Sequence, residues 1–279
     1  MVFCARGSFV TDADTSDKYL WDNTLEEEKR RLDLQAAIWD PHTHGYLESI
    51  GVAAGWRCLE IGAGSGTITT WLADRVTPGG SVVAADIDTR FLEWIDHPAV
   101  ETRELDITSG PISEGGFDLV HARMVLMHLS EPDKHVATMI DALRPGGWLL
   151  VQDADLAYLE TPAAEAFSWP TSNREFATKI VRALNNLLSM AGASKTTASE
   201  HPTRLLEAGL QNVGAESINR MEWGDAGGTY AAAFDRVKEY LVQYAGLKEA
   251  DVAKRSEQMA NQAFAFSSGP MVSVWGQRP

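Results

Sequence analysis

"LEIGAGSGTITTWL", Leu59 to Leu72, is an apolar run that enters three alternating glycines and leaves as a helix-like stretch. A strand, a glycine turn and a helix in that order form a nucleotide-binding loop. Which nucleotide it takes depends on its details. A dinucleotide turn asks for G-x-G-x-x-G, the third glycine letting the helix pack close. Gly62 and Gly64 fill the first two positions, but Thr67 stands at the third and the extra glycine is Gly66. Glu60 ends the strand just before the loop. A carboxylate there repels a diphosphate and attracts a sulfonium or ammonium group, so the loop favours a cationic nucleoside.

Outward from the loop, short apolar strands alternate with helices. "RCLEIG" (57 to 62), "SVVAADI" (81 to 87), "VETRELDI", "FDLVHAR" (117 to 123) and "WLLVQDAD" (148 to 155) read as strands. "TITTWLADRV", "DTRFLEWI" and "EPDKHVATMIDALR" read as helices between them. Strands buried on both faces and spaced by helices argue for a parallel α/β sheet. Asp86 ends the second strand, twenty residues after Gly66, where an acid accepts both ribose hydroxyls. Asp106 follows the third strand, where it can accept from an adenine amino group while Ile87 and Ile107 sandwich the ring.

"LEIGAGSG", "VVAADID", "ELDI", "FDLVHARMVLMHL" and "LRPGGWLLVQD" together resemble class I S-adenosylmethionine-dependent methyltransferases over about residues 55 to 155. That resemblance implies a Rossmann-like α/β fold, a seven-stranded, mainly parallel sheet with helices on both faces and an antiparallel last strand. The cofactor would lie across the strand C-termini, leaving S-adenosylhomocysteine as product. Matched by position, Glu60, Gly62, Gly64 and Gly66 would line the methionine and ribose, Asp86 the ribose, and Asp106 with Ile107 the adenine. His121 would face the methionine portion and the transferring methyl, with Ala122 and Arg123 close by.

The rest of the chain reads as additions to that core. Residues 1 to 17 are polar and aperiodic, an arm without a fold of its own. Residues 18 to 279 read as one domain, with the cofactor core at 52 to 155. Leu25 to Ile50 reads as two helices broken at "DPHTHG", where Pro41 starts the second. Mostly helical insertions at about 156 to 195 and 226 to 266 suit a cap over the substrate. "QNVGAESINRMEW" and "MVSVWGQ" close the sheet.

Substrate and catalytic candidates follow from place and chemistry. Tyr19 and Trp21 in "DKYLWDN" either fold over the pocket as a lid or pack on the first helix. Asp153 and Tyr158 stand at or beyond a strand end, and Trp169, with Phe167 and Trp223, adds aromatic surface. An aromatic pocket under a net acidic surface favours a small, largely apolar acceptor, neutral or cationic. The narrower likeness is to bacterial natural-product enzymes of secondary metabolism, among them those that methylate C3 of indole rings. Tyr19, Asp22 and His121 are then the candidates to relieve the charge that develops at the ring N–H. His128 reads as a packed helix residue. N- or O-methylation and a non-catalytic use of the fold stay open, whereas Thr67 and Glu60 disfavour an NAD-dependent oxidoreductase.

Bulk properties narrow the partners. Lys and Arg number 24 against 39 Asp and Glu, a net charge of −15 that repels nucleic acid and anionic lipid. No apolar run approaches the roughly 18 residues of a membrane span. The acids lack magnesium-site spacing, so no metal is expected. Cys4 and Cys58 are not placed to pair. A cytoplasmic enzyme, with a homodimer closed through the aromatic arm, is the expectation.

Overall fold

The computed structural model describes residues 25–166, 168–223 and 229–279. The arm at 1 to 17, Tyr19, Trp21, Asp22 and Phe167 lie outside the described residues, and with them the lid and the arm-mediated homodimer.

Seven strands form one sheet: β1 (Arg57–Ile61), β2 (Ser81–Asp86), β3 (Val100–Glu104), β4 (Phe117–Arg123), β5 (Leu143–Ala154), β6 (Gln211–Trp223) and β7 (Ala265–Gln277). Their order is β3-β2-β1-β4-β5-β7-β6. The first five run parallel, and β7 is antiparallel to both β5 and β6. This is the Rossmann-like methyltransferase sheet that the resemblance implied. The strand order reverses between β1 and its neighbours β2 and β4, so the crevice beyond their C-termini is the ligand edge of such a sheet.

The helices are α1 (Leu25–Ile50), α2 (Thr67–Val76), α3 (Pro132–Ala142), α4 (Pro162–Ala166), α5 (Arg174–Met190), α6 (Thr197–Glu207), α7 (Thr229–Tyr244) and α8 (Glu249–Met259). Side chains alternate across each strand. Cys58, Val82, Leu119 and Leu150 therefore pack with Tyr46 and Leu47 of α1 and Ile68 and Leu72 of α2. Leu59, Val83, Val120 and Val151 face the other way, against Val136 and Met139 of α3 and Leu205 of α6. A third cluster joins α5, α7 and α8 to Phe264, Phe266, and to Met124 and Met127 just past β4.

Two expectations are corrected. Residues 25–50 form one helix that runs through Pro41. The proline removes one backbone donor, but Asp40 binds Arg123 of β4 and Thr43 binds Gln152 of β5, while Trp39, Tyr46 and Leu47 are buried on either side of it. Tertiary packing outweighs the local break. "DTRFLEWI" shortens to a single 3-10 turn, Thr89–Leu92, capped by Asp88.

Past the sheet edge, β6 and β7 continue alone. Met271 pairs with Ala154 at the end of β5 and the Pro270 carbonyl accepts from the Asp155 N–H at 2.9 Å, whereas the stretch from Ala265 to Pro270 runs along Asn219 to Trp223 of β6 and meets Trp169 at Ala265. Six residues at about 3.3 Å each carry this ribbon roughly 20 Å beyond the strand ends. Among the described residues no helix is long and apolar enough to cross a membrane.

Candidate active site

The glycine loop is closed on itself by backbone bonds. Gly62 and Ala63 both donate to the Ala85 carbonyl, at 2.8 and 3.1 Å, and Gly66 donates to Ala63 at 2.9 Å. The Gly64 N–H donates to the Asp86 carboxylate at 2.8 Å. Gly62 has φ 70°, and a Cβ there would lie 2.4 Å from Val125 Cγ2, so only glycine fits. Gly66 has φ 75° and precedes α2 as its N-cap, which makes Thr67 the first helical residue, as the displaced third glycine implied.

A pyrophosphate needs loop amides turned outward as donors. Here four of them are spent inside the protein. The charged groups beside the loop are instead carboxylates, Glu60 and Asp86, which complement a cationic sulfonium and ammonium and can accept from ribose hydroxyls. The residues present therefore fit S-adenosylmethionine and do not fit a dinucleotide.

Asp86 ends β2, is 6% exposed, and also accepts from the Asp88 N–H at 3.0 Å. Burial holds its carboxyl above the usual carboxylate range, against the pull of these two backbone donors. Glu60 is 4% exposed. It accepts from the Thr69 hydroxyl of α2, and Glu60 Oε1 lies 3.6 Å from His121 Nδ1, in register with it on β4. His121 Nε2 lies 3.2 Å from Gln152 Oε1. Thr43 donates to that same oxygen at 2.9 Å, and Gln152 Nε2 donates to Ser273 Oγ at 2.8 Å. A buried polar row thus crosses four strands beneath α1, from Glu60 at the cofactor loop to Ser273 on β7.

That row corrects the reading of His121. Its side chain has no exposure, and both ring nitrogens face protein groups inside the sheet. It lies beside Glu60, with its Nδ1 free of any hydrogen bond among the described residues, and has no exposed surface where a substrate could meet it. Arg123 is likewise engaged, donating to Asp40 at 2.8 Å and Thr43 at 2.9 Å, and Ala122 is buried on the α3 side. Asp106 accepts from Thr108 N–H at 2.8 Å and Thr108 Oγ1 at 2.6 Å, capping a 3-10 turn. Ile107 sits in the core with Val125 and Leu129, and Ile87 is half-buried.

The expected substrate contacts separate. Asp153 is corrected: it is 1% exposed and accepts from His201 Nε2 of α6 at 2.7 Å. Arg204 Nη1 lies 3.1 Å from His201 Nδ1. The guanidinium donates, so Nδ1 accepts and Nε2 carries the proton given to Asp153. Strand alternation explains the error, since Val151 and Asp153 share the α6 face while Leu150 and Gln152 share the α1 face. Tyr158 stays on the ligand side of the sheet, where its hydroxyl accepts from Asn219 of the ribbon at 3.2 Å. Trp169 is 57% exposed beside the ribbon, and Trp223 is 58% exposed at its end. His128 is buried in a 3-10 turn, as a packed residue.

Sequence reasoning missed Gln152, Thr43, Thr69 and Ser273. Gln152 alone left a signal, an amide inside the apolar run "WLLVQD". It missed Trp94 as well, whose indole N–H donates to the Ser65 carbonyl at 2.9 Å and fastens the loop from outside.

Comparison with known proteins agrees with this geometry. Residues 59–151 match the family described as "Methyltransferase domain". Ubiquinone/menaquinone biosynthesis C-methyltransferase UbiE of Pseudomonas aeruginosa is 29% identical over 209 residues, 72% of each chain. Methyltransferase str2 of Strobilurus tenacellus is 34% identical over 102 residues, 36% of each chain, so the similarity spans about a third of that relative's length. Phosphoethanolamine N-methyltransferase 2 of Haemonchus contortus, solved with phosphomonomethylethanolamine and S-adenosylhomocysteine, superposes with a TM-score of 0.53 at 14% identity. It covers 90% of this chain and 57% of its own. Residues 59–151 are thus similar in sequence to a methyltransferase domain, the fold is the Rossmann-like methyltransferase fold, and S-adenosylmethionine is the cofactor that the loop fits.

Proposed function

We propose that the chain transfers the methyl group of S-adenosylmethionine to a small, largely apolar or aromatic metabolite, with C3 of an indole ring as the acceptor to test first. The observation that carries the methyl-donor half is the glycine loop, whose amides are internally bonded and whose flanking charges are both carboxylates. The relative UbiE is named a C-methyltransferase, which supports carbon as the atom methylated.

Bound S-adenosylmethionine supplies a methyl carbon already activated by its sulfonium. The chain's part is to hold and to shield. Glu60, held by Thr69 and flanked by His121, would balance the positive charge of the methionine end, Asp86 would accept from the ribose, and Asp106 from the adenine amino group. Met124, Met127, Phe264 and Phe266 form an apolar cluster above the strand ends, with Trp169 beside the neighbouring ribbon and Trp223 at its end, and so would exclude water. The insertions at 156 to 195 and 226 to 266 serve as the cap. Tyr19 and Asp22 are the groups proposed to accept the indole N–H proton, and the N-terminal arm is proposed to close a homodimer.

The test is incubation with methyl-labelled S-adenosylmethionine and a panel of indoles, phenols and quinols. Label in a small organic product, with one S-adenosylhomocysteine released per methyl, is the expected result. Binding of the cofactor with no labelled product from the panel or from a metabolite extract overturns it. A light-scattering mass of one 30.5 kDa chain overturns the homodimer.

A further inference from the structure

Arg255 of α8 is the one long cation that the fold encloses without a counter-charge among the described residues. It is 4% exposed. Its guanidinium carbon lies 4.9 Å from the Phe264 ring centre and 4.7 Å from that of Phe266. Its Nε and Nη1 are buried with no hydrogen-bond acceptor among the described residues. Asp251, one turn back on α8, binds Lys179 at 2.6 Å instead. Burial alone pushes the Arg255 pKa down to about 10, which still leaves it charged at neutral pH.

Stacking against two aromatic rings satisfies the faces of a guanidinium but not its edge, where the N–H donors lie. A buried charge with unpaired donors is costly. It persists in folds where a ligand completes it, and the edge of a guanidinium matches a carboxylate in particular. The position suits a ligand. Phe264 and Phe266 share a cluster with Met124 and Met127, directly beyond β4, and belong to the segment that carries β7 past the ligand edge. Gln258, three residues along the same helix, also has a buried Oε1 without a donor among the described residues, so polar groups recur on this face.

We propose that Arg255 anchors the carboxylate of a small aromatic acid bound between α8 and the ribbon. It deepens the methyltransferase reading, on which it rests only for taking that acid to be the methyl acceptor. The acidic surface led to an expected neutral or cationic acceptor. Arg255 is shielded from that surface and sets a different local preference, an apolar body with one anionic end.

The probes are indole-3-propionate, phenylpropionate and naphthylacetate, each paired with its neutral amide, titrated calorimetrically into the full chain with S-adenosylhomocysteine present. At least one acid should bind at least tenfold more tightly than its amide. Arg255→Met should abolish that preference and Arg255→Lys should keep part of it. Without ligand, Arg255→Met should melt at a higher temperature than the parent, because an uncompensated charge is removed, whereas a purely packing arginine would lower it. Equal binding of every acid and amide, a preference that survives Arg255→Met, or a lower melting temperature for that variant with no acid preference in the parent overturns the anchor. Because binding is read without turnover, an acid preference in a chain that transfers no methyl would leave the anchor standing and remove the enzyme reading.

Discussion

Gly64 donates its backbone N–H to the Asp86 carboxylate at 2.8 Å, joining the turn after β1 to the end of β2 across 22 residues of sequence. The carboxylate that would take the ribose is therefore the one that sets the shape of the loop. Asp86→Asn keeps one acceptor oxygen where two serve Gly64 and Asp88. Loss of a hydrogen bond to a charged group costs about 1.5–3 kcal/mol, so affinity for S-adenosylhomocysteine should fall roughly 10- to 100-fold by calorimetry. An unchanged affinity would remove Asp86 from the cofactor site.

His121 lies 3.6 Å from Glu60 and is fully buried, which places its expected effect on cofactor binding and not on the substrate. His121→Phe should raise the KM for S-adenosylmethionine about tenfold, with kcat at saturation within about fivefold of the parent. Thr69→Val should shift the same constant in the same direction, since Thr69 donates to the same carboxylate. A kcat loss of about 100-fold or more at saturating cofactor would restore His121 as a group that takes part in the chemical step.

The Asp153–His201 pair is structural, with both side chains almost fully enclosed. Asp153→Ala leaves His201 Nε2 without its buried acceptor, and breaking such a pair costs about 3–5 kcal/mol. For a chain of this size that corresponds to a melting temperature roughly 6–20 °C lower. The KM for cofactor below the transition should stay within about twofold. A stable Asp153→Ala chain with lost acceptor binding would return Asp153 to the substrate pocket.

Acid should destabilise the fold from the histidine range downward. Burial holds His44, stacked 4.6 Å from Trp71, and His135 of α3 below their ordinary value of 6.5. In the unfolded chain both take up protons as pH falls through about 6.5, while the folded chain resists. Their contribution is therefore present above 6.5 and is lost as pH falls through their lower folded values. Urea unfolding at stepped pH should show stability declining below 6.5, and the double variant His44→Phe, His135→Phe should flatten that decline. Parallel curves for parent and variant would contradict it.

Elements whose signals are local were readable in the chain. "TITTWLADRV" is α2 residue for residue, and "FDLVHAR" is β4, because a glycine turn and an apolar run mark their own ends. Pro41 misled because its effect is local, whereas what holds α1 together is Asp40 and Thr43 reaching β4 and β5, 83 and 109 residues away. Asp153 and His121 misled for a related reason. An acid or a histidine at a strand end looks like a site residue until the partner that buries it is known, and those partners are His201, 48 residues on, and Gln152, 31 residues on. The cofactor side was legible because one loop carries most of it. Arg255 was not, since nothing in "EADVAKRSEQM" separates an enclosed arginine from a solvated one.

The most direct measurement is a pair of calorimetric titrations of the full chain, one with S-adenosylhomocysteine and one with NADH. With the Gly62, Ala63, Gly64 and Gly66 amides bonded inside the protein and Glu60 beside them, S-adenosylhomocysteine should bind at one site per chain with a Kd in the micromolar range, about −8 kcal/mol. NADH should give no heat of binding. Saturable binding of NADH without binding of S-adenosylhomocysteine would contradict the methyl-donor site outright.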